Sequence, residues 1–96
     1  MSPKNRIKLN LLRKKLDKLD NSFIKLIKNR LNIVNEVLKL KSYRNEIVDK
    51  KRIASILQKI RKKSIQSKID PKITKRIWHN MIWSFVNYEK RNFKKK

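Results

Sequence analysis

At 96 residues the chain is one domain at most, 1–96, and a thin protomer of this size buries little core alone. It carries 29 Lys and Arg against 7 Asp and Glu, a net charge of +22, so a partner chosen by charge is nucleic acid, an anionic membrane or an anionic small molecule. No Gly, no Cys and two Pro leave no room for Gly-rich phosphate loops, disulfides or a thiolate nucleophile, and a single His with few carboxylates builds no metal site.

The combined richness in Lys, Asn and Ile is also what AT-rich coding produces on solvated faces, so basicity by itself does not choose among these partners. The N-terminal stretch has no apolar run long enough for a signal peptide, and no later run could span a bilayer. The expected location is the cytoplasm.

Ser2-Pro3 reads as an N-cap and first helical residue, and the helix it starts runs to about Lys41 with no breaker inside it. Its apolar positions form two rows, Leu9, Leu16, Phe23 and Val37 beside Leu12, Leu19, Leu26 and Ile33, which together make one face. Arg30 falls in the first row where the repeat calls for a core residue. Lys41, eleven residues on, points the same way about 16 Å along the axis. Asp17, Asp20, Asn21 and Ser22 fall outside both rows and face solvent. An apolar face this long on a thin protomer predicts that a second copy completes the core.

Ser42 to Glu46 has no periodicity and reads as a loop. Asp49 caps a second, shorter helix whose buried stripe is Ile53, Ile56, Leu57 and Ile60, although Lys50 and Lys51 in its first turn have the wrong sign for the helix dipole. The pattern fades around Ser64 to Lys68. Asp70-Pro71 starts a third helix, of medium length, to about Phe93, with Trp78, Ile82 and Phe85 at helical spacing and Glu89 four residues past Phe85. Trp78, Trp83, Phe85 and Tyr88 read as packing residues, Phe85 nearest the polar position, and His79 as a surface or interface residue. The fold class is all-α, with no strand signal and no internal repeat.

Two polar residues therefore stand on inner faces, Arg30 and Glu89. A charge in an apolar seam is costly unless something of opposite sign meets it. One resolution is a buried Arg–Glu pair that sets register. The other is a polar pocket with excess positive charge from Arg30 and Lys41, whose ligand is a small anion carrying more than one carboxylate.

The order and spacing of short motifs along nearly the whole chain resemble the all-helical (type II) chorismate mutases. Leu12-Arg13, Leu16-Asp17 and Leu19-Asp20 are similar to that family's opening LRxxIDxID, and KNRLNIVNEVLKLK around Arg30 is similar to its xxRxxxxxEVxxxK. Asp49-Lys50-Lys51-Arg52-Ile53 resembles its DPxRE, and Ile77 to Ile82 followed by Glu89 resembles its last helix and the Gln or Glu there. The resemblance implies an intertwined helical homodimer of three helices per chain, long, short and medium, with shared active sites and chorismate as substrate.

Carried over by position, Arg13 would reach into the partner subunit's pocket and Arg30 would bind a carboxylate within its own, where a planar fork suits bidentate geometry. Lys41 would donate to the ether oxygen and a nearby carboxylate, with Glu89 opposite it. The backbone at Asp49, with Arg52 and Ile53, would line the side holding the ring hydroxyl, and Phe85 would border the pocket. The implied reaction, an intramolecular shift of chorismate to prephenate, needs no cofactor, metal or nucleophile. The protein holds the reactive conformer and places donors where charge grows on the ether oxygen. Glu89 can be such a donor only when protonated.

One position departs from the pattern: Ile53 stands where the family usually has the Glu expected to bind the ring hydroxyl. The isochorismate–pyruvate lyases share the fold and carry an apolar residue there, although they keep Gln where this chain has Glu89. The rival from another class is a small basic helical nucleic-acid binder, supported by charge and by Lys59, Arg61, Lys62 and Lys63. It is disfavoured by the absence of a recognised binding motif and by the inward placement of Arg30 and Glu89, where no phosphate contact is made. A non-catalytic helical dimer is the third reading.

Overall fold

The computed structural model describes residues 1–95. They form three α-helices, α1 (Pro3–Leu40), α2 (Lys50–Gln66) and α3 (Pro71–Asn92), with one 3₁₀ turn at Arg44–Glu46 and no strand among the described residues. The all-α expectation and the order long, short, medium hold, and each predicted boundary falls within a residue or so of the observed one.

Each helix starts where a short polar side chain can satisfy orphan N–H groups. The Ser2 hydroxyl accepts from the Asn5 N–H at 3.2 Å. Asp49 accepts from the Arg52 N–H at 3.0 Å, and Asp70 from the Lys72 N–H at 3.0 Å, with Pro71 behind it in the first turn. The end of α2 is a Schellman motif: the Ile69 N–H donates to the Ser64 carbonyl at 2.9 Å and the Lys68 N–H to the Ile65 carbonyl at 3.1 Å. Lys68 occupies the left-handed position there, at φ 57°, a site that Gly usually fills.

The chain divides into two compact units whose boundary falls inside α1, Met1–Ile33 and Val34–Lys96. The first unit is helix alone, and none of α1 is buried. Leu12, Leu16, Leu19, Phe23 and Leu26, the heart of the predicted seam, are each more than half exposed in a single chain. Asp17, Asp20, Asn21 and Ser22 face solvent as expected.

The second unit holds the core. Ile47 from the loop and Ile82 and Val86 from α3 are buried, and Leu38, Val48, Ile53, Ile56, Leu57 and Phe93 pack around them. The inner row of α3 is thus Ile82, Val86 and Glu89, while the predicted Trp78 and Phe85 are half-buried beside it. Trp83 is exposed rather than packed, its ring 6.4 Å from that of His79. Helices α2 and α3 pack on each other, and at the hairpin end the Ser64 hydroxyl, 3 % exposed, meets the Thr74 hydroxyl at 2.6 Å. Among the described residues no helix is long and apolar enough to cross a membrane.

Candidate active site

Four features of the second unit converge on Lys41. Helix α1 ends one residue before it, in a tightened last turn where the Lys41 N–H reaches the Leu38 carbonyl at 3.2 Å. The following loop is organised by Glu46, whose carboxylate accepts from the Ser42 N–H at 3.1 Å and the Tyr43 N–H at 2.8 Å. Ile47, 4 % exposed, anchors that loop in the core. Helix α3 turns its inner row toward the same place and delivers Glu89, buried, from its last turn.

The result is an ion pair: Lys41 Nζ donates to Glu89 Oε2 at 2.9 Å, with the two side chains only 17 % and 10 % exposed. A cation and a carboxylate removed from water this far are held by each other, because either alone would carry an uncompensated desolvation cost. Glu89 therefore has Lys41 as an ionic partner, 48 residues away in the chain.

Next to the pair lies an open depression of about 630 Å³ lined by Lys41, Glu46, Val48, Asp49 and Lys50 among others. Lys41 and Asp49 thus border one space, where Lys41, Lys50 and Lys51 outnumber the acids Glu46 and Asp49. Asp49 itself is exposed and its carboxylate accepts from the Arg52 N–H as the α2 cap. Arg52 is exposed on the first turn of α2. Ile53 turns inward and packs on the Ile47, Ile82 and Val86 cluster, where an ionised Glu would meet an apolar surface. Phe85 is half-buried one turn before Glu89.

Arg13 and Arg30 belong to the first unit. Arg13 is exposed, and Arg30 is half-buried between the exposed seam residues Leu26 and Ile33. Among the described residues no group of three or more His, Asp or Glu could hold a metal ion.

One contact in the site's neighbourhood has no signal in the periodicity. The Tyr88 hydroxyl donates to Asn35 Oδ1 at 2.7 Å, which joins α3 to α1 one residue before Glu89. A Tyr on the flank of an apolar stripe reads as packing, and only the tertiary pairing shows that its hydroxyl finds a partner.

A family model for chorismate mutase type II matches residues 12–90. That span takes in every site position named above. Neither the curated proteins nor the solved structures yield a match to the chain.

Proposed function

Because the chain belongs to the chorismate mutase type II family, we propose that it rearranges chorismate to prephenate as a cytoplasmic homodimer with shared active sites. The observation that carries this reading is the Lys41–Glu89 pair, a cation and an acid from different elements meeting at 2.9 Å beside a cationic depression. In the proposed reaction the ether C–O bond breaks as a new C–C bond forms within one molecule, and negative charge grows on the ether oxygen. Lys41 donates to that oxygen. Glu89, protonated, donates from the other side, so the substrate oxygen takes the place that the two side chains fill with each other in the free protein.

The substrate's carboxylates are assigned to Arg30 of the same chain and Arg13 of the partner subunit, which hold the side chain of the substrate over its ring. With Ile53 committed to the core, the ring hydroxyl is left to the backbone at Asp49 and to water, with Arg52 alongside.

That commitment of Ile53 is also the observation that favours a second reading, isochorismate–pyruvate lyase, whose members carry an apolar residue there. Incubation with chorismate and, separately, isochorismate distinguishes them. Prephenate from chorismate supports the mutase, salicylate with pyruvate from isochorismate supports the lyase, and a folded protein that leaves both substrates unchanged sinks both.

A further inference from the structure

Side-chain bridges cross to α3 from the C-terminal part of α1 and from the residue that follows it. One is the Lys41–Glu89 pair at 2.9 Å, and the other is the Tyr88 hydroxyl on Asn35 at 2.7 Å. Tyr88 and Glu89 are adjacent on one turn of α3, whereas Asn35 and Lys41 lie six residues apart, Asn35 within α1 and Lys41 one residue past its end. Bridges that leave one turn and land at two heights fix both the rotation of α3 and the tilt of the α1 terminus. A single bridge leaves a pivot. Close helix packing in this unit is between α2 and α3, and α1 adds Leu38 to the core from its last turn. Asn35 and Tyr88 are both half-buried, so their bond is shielded in part from competing water.

We infer that the Tyr88–Asn35 hydrogen bond is a positioning contact that sets the gap between Lys41 and Glu89. It rests on the proposed function, because its importance comes from what substrate does to the pair. When the ether oxygen enters between Lys41 and Glu89 their direct contact is lost, and the bridge that held α1 to α3 at that height is lost with it. The Tyr88–Asn35 bridge remains. They keep the two donors a fixed distance apart while charge develops on the oxygen. A displacement of about 1 Å at such a point costs up to a hundredfold in rate.

The test compares the wild type with Tyr88→Phe, Asn35→Leu, their double variant and Asn35→Asp, which keeps an acceptor for the hydroxyl. Each is measured for kcat and KM on chorismate, for helical circular dichroism, and for the NMR resonance of the Lys41 ammonium in the substrate-free protein. The expected result is a kcat about tenfold lower in Tyr88→Phe and in Asn35→Leu, with KM within about twofold. The double variant falls no further than either single one. Asn35→Asp keeps the wild-type kcat, and the Lys41 resonance moves in the first two variants and stays in place in Asn35→Asp.

Unchanged kcat in Tyr88→Phe, additive losses in the double variant, or an equal loss in Asn35→Asp overturns the assignment. A Tyr88→Phe chain that loses its helical signal makes the bond an element of the fold and overturns it too. If the wild type turns over neither chorismate nor isochorismate, the proposed function fails on its own. The Lys41 resonance then decides the positioning role, and one that ignores Tyr88→Phe overturns it.

Discussion

Lys41 and Glu89 each depend on the other to be where they are. The pair is 2.9 Å long and largely out of water, so removing either charge strands its partner in a poorly solvated place. In the proposed reaction the same closeness gives the Glu89 carboxyl group two opposed roles. As a carboxylate Glu89 attracts Lys41 and repels a developing oxyanion, whereas as a carboxylic acid it donates to that oxyanion. An amide donates at every pH, so Glu89→Gln is expected to flatten the alkaline side of the kcat/KM profile, and a profile that keeps its alkaline fall would remove Glu89 from the mechanism. Lys41→Ala, which deletes the other donor, is expected to lower kcat by about 10²–10³. Arg30 and Glu89 could be picked out as misplaced charges in apolar rows, and the family resemblance set Lys41 opposite Glu89, but their direct contact at 2.9 Å was not foreseen.

At the scale of elements, the α2–α3 hairpin is the best-determined part of the fold. Its starts are written in short local signals, Asp49 before α2 and Asp70-Pro71 before α3, and both caps form. Its turn is not written so plainly. The left-handed C′ position of a Schellman motif is usually announced by Gly or Asn, and here Lys68 occupies it at φ 57° in a chain without Gly. A side chain in that region carries a steric cost that Gly avoids. Lys68→Gly is accordingly expected to stabilise the protein by about 1 kcal/mol, read as a higher urea midpoint at unchanged slope. The Ser64–Thr74 hydroxyl contact that closes the same end was also invisible beforehand, because a Ser where a helical pattern fades reads as the start of a loop.

For the whole molecule, the contrast between a small core and a long exposed seam dominates. Ile47, Ile82 and Val86 are buried within one chain, while the seam residues of α1 from Leu12 to Leu26 are open. Covering side chains of this kind is worth roughly 1.5–3 kcal/mol each, so the seam holds on the order of 10 kcal/mol of unused burial per chain. The proposed dimer uses it. Leu19→Glu or Phe23→Glu is expected to turn a dimer in sedimentation experiments into a monomer with lost activity and weakened helical signal, whereas a wild-type monomer at micromolar concentration would contradict the dimer. The +22 charge acts at longer range. For a dianionic substrate, kcat/KM should fall several-fold between about 50 and 500 mM salt while kcat changes little, since screening slows capture far more than it weakens contacts made at close range.

Helix number, order, starts and the open apolar seam were determined by the sequence itself, because caps and a 3.6-residue period are local properties that survive whatever the chain packs against. The family's motif order along residues 12–90 belongs with these. Tertiary structure decided the rest. It brought Lys41 and Glu89 into direct contact, packed Ile53 against the core, put Val86 and Ile47 at the centre of that core, and gave the Tyr88 hydroxyl its acceptor on Asn35. Each of these depends on how helices rotate and approach one another, and that is set by the sum of many small packing contacts which no single stretch of sequence contains.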